Sequence, residues 1–235
     1  MRLHLIRHGQ TDYNRLRRVQ GQLESQLDDT GREQARALGE EIRDVPFVAL
    51  HVSAAERTRE TAALAFEGRD LPTSYHDDLR EMRLGRWEDR MWADVEREEP
   101  ENARRYFAFD DALDVDGAEG FAELQRRGLD AIRGVVARER EAGRGGADDD
   151  VAVVSHGAIV RSMIAAWLAL PLARFAGLPA LPNCARSIVR IEAGDAVEVL
   201  AIASHPPRES QWATLLGGTP APDAAGADGA PAPPP

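Results

Sequence analysis

The sequence lacks lysine, so all 29 of its Lys and Arg positions are arginine. It has a single cysteine, Cys184, which excludes an internal disulfide and fits a reducing, cytoplasmic compartment. No apolar run approaches the ~20 residues that a membrane span needs. The first apolar run is also too short and too soon interrupted by charge for a signal peptide. These absences predict a cytoplasmic protein without a membrane segment.

Basic charge is outweighed by acidic charge, giving a formal net charge of -11. Nucleic acids and anionic membranes bind basic surfaces, so neither is an expected partner. A hydrophobic fraction of 43% over 235 residues suits one α/β domain with a real core. From Gly217 the chain turns to Ala, Gly, Asp and Pro, which cannot bury a core. We therefore expect a domain over 1–216 and a disordered tail over 217–235.

Short apolar runs alternate with helical spacing through most of the chain, which predicts an α/β sandwich with a mostly parallel sheet. Thr30 and Ser53 each stand three residues before a glutamate, a spacing that predicts capping boxes. Residues 80–118 are expected to be irregular except for a short helix near 92–98. The predicted strands are 3–6, 47–52, 73–75, 151–154, 187–191 and 197–202, and helices are expected after Thr30 and Ser53, over 121–136, and between 157 and 171.

Charged or nucleophilic residues follow three of these strands, and the carboxyl ends of neighbouring strands form ligand sites in α/β sheets. The residues are Arg7, His8, Ser53, Arg57, Ser155 and His156. Arginine forks and helix N-termini both suit phosphate oxygens. A metal is not expected, because cationic neighbours repel a cation and no close histidine–carboxylate ligand spacing is present. If the three strands are neighbours, the pattern predicts a phosphate site.

The residue types also indicate a reaction. A neutral imidazole attacks phosphorus, so His8 is the candidate nucleophile in a two-step phosphoryl transfer. The departing alkoxide then needs a proton, and Glu81 is the candidate acid. His4 and His51 lie within predicted strands and are interpreted as satisfied core histidines, whereas His76 is expected in a loop.

Four ordered motifs resemble those of the histidine phosphatase superfamily, which includes cofactor-dependent phosphoglycerate mutase. They are Arg7-His8-Gly9-Gln10-Thr11, Ser53…Arg57…Thr61-Ala62, Leu79-Arg80-Glu81…Gly85…Trp87-Glu88 and Ser155-His156-Gly157. The resemblance covers roughly residues 1 to 205. It implies a three-layer α/β/α fold without metal or cofactor. It also implies His8 as phosphohistidine, Glu81 as proton donor, and phosphate ligands Arg7, Arg57, His156 and Asn14.

Some positions depart from the family pattern, which bears on the substrate more than on catalysis. Gln26, Asp28, Asp89 and Gly120 replace the usual residues, although the neighbouring Glu119 is kept. The segment 81–87 resembles the phosphatase branch rather than the mutases. Residues 20–23 are similar to those of some sugar-phosphoglycerate phosphatases, which adds Gln20 and Gly21 as candidate substrate ligands.

These features predict a metal-independent phosphomonoesterase acting on a small phosphorylated metabolite. Ribazole-phosphate phosphatases share the same motifs, so the substrate stays open. The alternatives are phosphoglycerate mutase-type transfer and a catalytically silent phosphate-binding protein. The sequence also leaves open whether the chain forms a homodimer.

Overall fold

A six-stranded mixed sheet runs through the computed structural model, which describes residues 1–171 and 180–204. The strands are β1 (Arg2–Arg7), β2 (Phe47–Ser53), β3 (Thr73–His76), β4 (Asp150–Ser155), β5 (Arg186–Ile191) and β6 (Val197–Ser204). Their order across the sheet is β3-β2-β4-β1-β5-β6. The first four strands pair in parallel, and β5 and β6 add an antiparallel hairpin. The predicted mostly parallel sheet is therefore confirmed.

Helices cover both faces of this sheet. They are α1 (Asp12–Arg15), α2 (Asp29–Glu41), α3 (Glu56–Ala65), α4 (Trp92–Glu98), α5 (Pro100–Ala108), α6 (Phe121–Glu141) and α7 (Gly157–Trp167). Ile6 and Val154 belong to a core with α2 and α3, whereas Leu5 and Val153 belong to a second core with α6 and α7. Successive strand residues point to opposite faces, so each strand serves both cores. The three-layer α/β/α arrangement is confirmed.

The two predicted capping boxes are wrong. Helix α2 begins one residue before Thr30, and the side chain of Asp28 caps it by accepting from the Gly31 backbone N–H. Helix α3 begins after Ala55, which makes no side-chain capping bond. Ser53 is the last residue of β2, and its hydroxyl contacts His156 Nε2 instead of capping α3. A serine three residues before a glutamate can thus belong to a strand end that the spacing alone does not reveal.

Two helices were not predicted. Helix α1 is one turn long, and Thr11 and Asn14 form its reciprocal capping box. Helix α5 lies in the segment expected to be irregular, with Pro100 in its first turn and Phe109 ending it in a left-handed conformation at φ 56°. Helix α1 has no buried residue and α5 has only Ala103, so neither shows a repeating apolar pattern.

His4 and His51 are satisfied core residues, as interpreted from the sequence. His4 Nε2 lies 2.8 Å from an Asp150 carboxylate oxygen. His51 Nε2 lies 3.1 Å from a Glu139 carboxylate oxygen, and its Nδ1 lies 2.9 Å from His76 Nε2. His76 is the last residue of β3, so its expected loop position is wrong. The buried network thereby links β2, β3 and α6.

One compact unit extends from Met1 to Ser204. In the described ranges, no helix is long and apolar enough to cross a membrane. The expected boundary between 216 and 217 and the tail lie outside the described residues, so both stay predictions.

Candidate active site

Three neighbouring strand ends build the site. Strand β4 lies between β1 and β2, and Arg7 at the end of β1 pairs in register with Ser155 at the end of β4. His8 directly follows β1, and His156 is the N-cap of α7. Ser53 ends β2 in the same direction. The residues singled out from the sequence therefore meet at one edge of the sheet.

His8 is buried at 3% exposure, and its ring orientation is fixed by one backbone bond. Its Nδ1 lies 2.7 Å from the Gly9 carbonyl oxygen. A carbonyl only accepts, so Nδ1 carries the proton and Nε2 keeps its lone pair. Burial, reinforced by the charges of Arg57 and Arg7, lowers the pKa of His8 well below 6.5. At neutral pH His8 is a neutral imidazole with a free Nε2 lone pair.

The backbone around His8 is held from several sides. The His8 N–H donates to the Ser155 carbonyl at 3.0 Å, and the His8 carbonyl accepts from Asn183 Nδ2 at 3.0 Å. Gly9 donates its N–H to Thr61 Oγ1 at 3.0 Å. A Cβ on Gly9 would lie 2.6 Å from the Gly31 carbonyl oxygen, so only glycine fits against α2. These contacts fix the position from which the imidazole projects.

His156, Arg57 and Ser53 form a buried chain beside His8. Arg57 donates from Nε to His156 Nδ1 at 3.2 Å, so that nitrogen accepts and the ring proton lies on Nε2. His156 Nε2 lies 2.7 Å from Ser53 Oγ. Burial and the charge of Arg57 lower the pKa of His156 well below 6.5. His156 is thus neutral, with its ring centroid 5.3 Å from that of His8.

Arg57 is 1% exposed, and backbone carbonyls hold its guanidinium. It donates to the Gly21 and Leu23 carbonyls, each at 2.9 Å. Burial lowers its pKa to about 10, which still leaves it charged at neutral pH. A hydrogen bond to a carbonyl does not cancel a net charge, so Arg57 supplies positive potential beside the two histidines.

Arg7 offers the clearest vacant donor. It donates from Nη1 to the Leu181 carbonyl, while its buried Nε makes no hydrogen bond to any residue in 1–171 or 180–204. A buried unpaired N–H is costly unless a ligand satisfies it. A Cβ on Gly157 would lie 3.4 Å from that Nε, so the glycine leaves room beside it. The arrangement suits an anionic oxygen bound by Arg7 beside Gly157.

Glu81 is fixed at the N-terminus of α7. Its carboxylate accepts from the Met82, Ala158 and Ile159 backbone N–H groups at 2.9, 3.0 and 3.2 Å. Its charge acts on both Arg7 and Arg57, which places it within the same electrostatic field. Ser155 Oγ also donates to the Leu79 carbonyl at 2.8 Å, which ties the preceding turn to β4.

The other predicted ligands make mainly supporting contacts. Asn14 Oδ1 accepts from the Thr11 N–H and from Asn183 Nδ2, both at 3.2 Å. Gln20 donates to Ser25, and Gly21 gives its carbonyl to Arg57. Substrate contact by Asn14, Gln20 and Gly21 therefore stays a prediction.

A cleft of about 370 Å³ opens in front of Arg7. Trp92 and Phe107 form part of its wall with ring centroids 5.1 Å apart. Trp87, by contrast, is fully buried in the core. Sequence reasoning missed Asn183 and Phe107, because no motif marks either residue. The cleft is lined by Arg7, Gln10, Tyr13, Asn14, Arg17, Arg18, Trp92, Phe107 and Asn183.

The described ranges contain no group of three or more His, Cys, Asp or Glu side chains arranged to hold a metal ion. Tyr106 and Arg161 lie in the field of Glu81 and Arg7. Burial raises the pKa of the Tyr106 hydroxyl. The guanidinium groups of Arg7 and Arg161 thus both lie in the field of the Glu81 carboxylate.

Comparison with known proteins gives consistent matches. The family model of the Histidine phosphatase superfamily (branch 1) matches residues 3–203. A glucosyl-3-phosphoglycerate phosphatase of Mycolicibacterium vanbaalenii is 32% identical, over 77% of this chain and 80% of the relative. The adenosylcobalamin/alpha-ribazole phosphatase of Salmonella typhimurium is 34% identical, over 74% and 82%. The solved mycobacterial glucosyl-3-phosphoglycerate phosphatase with VO3 has a TM-score of 0.78 at 30% identity, covering 87% of this chain and 99% of that chain.

Proposed function

Because this chain belongs to the histidine phosphatase superfamily and is a phosphoric monoester hydrolase, we propose that His8 is its nucleophile. The observation that carries the proposal is the bond from His8 Nδ1 to the Gly9 carbonyl. It fixes the tautomer, and burial among arginines keeps the ring neutral. The attacking Nε2 lone pair is then available without a separate general base.

Two displacements complete the reaction. His8 Nε2 forms a bond to phosphorus while the bond from phosphorus to the ester oxygen breaks, and Glu81, which enters this step protonated, gives that oxygen its carboxyl proton. Water then attacks the phosphohistidine, Glu81 takes the proton, and the phosphorus–nitrogen bond breaks to release inorganic phosphate. Arg7 and Arg57 bind the phosphoryl oxygens and offset the charge that they carry, and His156 binds one by turning its Nε2–H from Ser53 Oγ to that oxygen. No metal ion is required for either step.

The cleft favours a leaving group with both polar and carbon-rich faces. Trp92 and Phe107 present rings to the cleft, and Phe107 is 49% exposed. Arg18 is paired with Asp89, whereas the Arg17 side chain is 76% exposed and lies 4.0 Å from its nearest carboxylate, Glu96. Aromatic rings stack against sugar faces, and a guanidinium binds a carboxylate. A phosphoglycerate bearing a sugar is therefore our leading substrate class, consistent with two of the relatives.

The test is hydrolysis of an aryl phosphate with and without a chelator, followed by acid-free quenching and mass spectrometry of the protein. We expect activity that survives chelation, a phosphorylated peptide containing His8, and loss of both in His8→Ala. His76→Gln, which changes a histidine outside the site, is the matched control. Full activity in His8→Ala would overturn the assignment.

A substrate panel then identifies the ester. Glucosyl-3-phosphoglycerate, alpha-ribazole phosphate and phosphoserine are compared by kcat/KM, and we expect the first to be highest. Isomerisation of phosphoglycerate that outpaces phosphate release would instead indicate a mutase. Phosphate binding without turnover would indicate the catalytically silent alternative.

The cellular setting is also part of the proposal. Cys184 is buried and unpaired, which suits a cytoplasmic, reducing compartment. Light scattering of the full chain distinguishes a monomer from the homodimer that the sequence leaves open.

A further inference from the structure

The segment that carries Glu81 lacks regular secondary structure. It follows a short 3₁₀ turn, Asp77–Leu79, and no strand ladder engages the carbonyls of Asp78, Arg80 and Glu81. The Glu81 side chain is fixed by α7, but its backbone needs separate support. Proton transfer depends on the position of the acid, so whatever holds this backbone affects catalysis.

Arg127 of α6 supplies that support with three of its five guanidinium donors. Its Nη1 donates to the Asp78 and Arg80 carbonyls at 2.7 and 2.8 Å. Its Nη2 donates at 3.2 Å to the Glu81 carbonyl, which also accepts from Gln22 Nε2 at 2.9 Å. The remaining Nε and second Nη2 donors reach the two carboxylate oxygens of Glu119, each at 2.8 Å. One side chain thus bridges three carbonyls of the segment.

Glu119 sets the orientation of Arg127. It is 3% exposed and forms a two-pronged pair with the guanidinium, whose plane is therefore fixed. Its backbone N–H donates to the Arg83 carbonyl at 2.9 Å, and its Oε2 lies 3.4 Å from the Arg83 N–H. Glu119 thus also binds the backbone of Arg83, on the C-terminal side of Glu81, while it aligns Arg127.

We propose that Arg127, aligned by Glu119, is the positioning residue for the general acid Glu81. This inference rests on the proposed role of Glu81 as proton donor. Arg127 holds the backbone of Glu81 from α6, and α7 holds its carboxylate, so the acid is fixed at both ends. Loosening the backbone end lets the carboxyl group move away from the ester oxygen, which slows only reactions that need its proton.

The experiment compares substrates whose leaving groups differ in their need for a proton. The parameter is kcat/KM, because it reports formation of the phosphoenzyme and not its later hydrolysis. For Arg127→Gln we expect a loss of about 10- to 100-fold with an alkyl phosphate, a part of the roughly 10²–10⁴ that general acid catalysis contributes. With 4-nitrophenyl phosphate, whose leaving group departs without a proton, we expect less than about threefold.

Arg126→Gln is the matched control. Arg126 is the adjacent residue on α6, its side chain is 69% exposed, and its nearest carboxylate lies 3.9 Å away. We expect it to leave both substrates unchanged. Arg127→Lys keeps the charge but not the fork, so it should lie between the wild type and Arg127→Gln. If circular dichroism shows that Arg127→Gln does not fold, the ratio of kcat/KM for the two substrates is measured in Arg127→Lys and Glu119→Gln instead.

The Glu81→Gln background separates a positioning role from a general structural one. We expect Arg127→Gln to have no further effect on the alkyl phosphate once the acid is absent. An equal loss for both substrates, or an undiminished effect in Glu81→Gln, would overturn the positioning role. If Glu81→Gln itself affects both substrates equally, the acid assignment fails first, and the proposed role of Arg127 fails with it.

Discussion

The buried His51 gives a quantitative prediction for acid stability. His51 is 1% exposed, and burial lowers its pKa from 6.5 to about 4. Glu139 beside it is already paired with Arg144, so the carboxylate does not require a charged imidazole. Nε2–H therefore donates to Glu139, while Nδ1 accepts from His76. Replacing the His51 ring with a side chain that does not titrate therefore tests this arrangement.

The magnitude follows from linkage. The unfolded chain binds the His51 proton near pH 6.5, whereas the folded chain resists it until about pH 4. The contribution of neutral His51 is therefore complete above pH 6.5 and is lost as the pH falls toward 4. A difference of about 2.5 units corresponds to about 3 kcal/mol, of which about 2 kcal/mol is lost between pH 7 and pH 5.

The assay is urea unfolding of wild type and His51→Gln at pH 7 and pH 5. Glutamine offers an N–H donor and a carbonyl acceptor but does not titrate. From pH 7 to pH 5, we expect the free energy of unfolding to fall by about 2 kcal/mol less in His51→Gln than in the wild type. Subtracting the two pH dependences isolates His51, because the other histidines contribute to both proteins. Parallel pH dependences, within about 0.5 kcal/mol, would refute the reasoning.

Two further predictions concern activity. The lowered pKa of His8 keeps its ring neutral even below pH 6.5. We therefore expect kcat/KM, corrected for substrate ionisation, not to fall between pH 7.5 and pH 6. A loss of half of the activity near pH 6.5 would contradict this. Arg57→Gln removes a buried phosphate-side charge and should lower kcat/KM by about 10²–10³ for alkyl and aryl phosphates alike. Arg59→Gln, an exposed neighbour over the Tyr75 ring, is its control and should retain activity in the same assay.

Strong local patterns made much of the fold predictable. The apolar run at 151–154 predicted a buried strand, and the structure buries every residue of β4. Helix α6 was predicted from its apolar spacing, although it extends five residues beyond 136. Helix α5 was missed because only one of its residues, Ala103, is buried, so no apolar repeat identifies it. The capping errors at Thr30 and Ser53 came from treating spacing as if it fixed where a helix begins.

The residues of the site likewise divide into those that the sequence predicted and those that it did not. His8, His156 and Arg57 were predictable because each follows a strand end, and parallel strands bring such ends together. Arg127 was not predictable, since it lies in the middle of a helix among other arginines. Three of its contacts depend on how α6 packs against the segment 78–83, which no local pattern records.

Helix α7 is a common reference for opposite sides of the reaction. His156 is its N-cap on the phosphate side, and its second and third residues bind the carboxylate of Glu81 on the leaving-group side. The backbone of Glu81 is bound to α6 through Arg127, so a shift of α7 relative to α6 moves the carboxylate against its own backbone. Changes in the buried contacts between α6 and α7, such as that of Met163 with Gly128, should therefore disturb the acid although neither residue lies in the site.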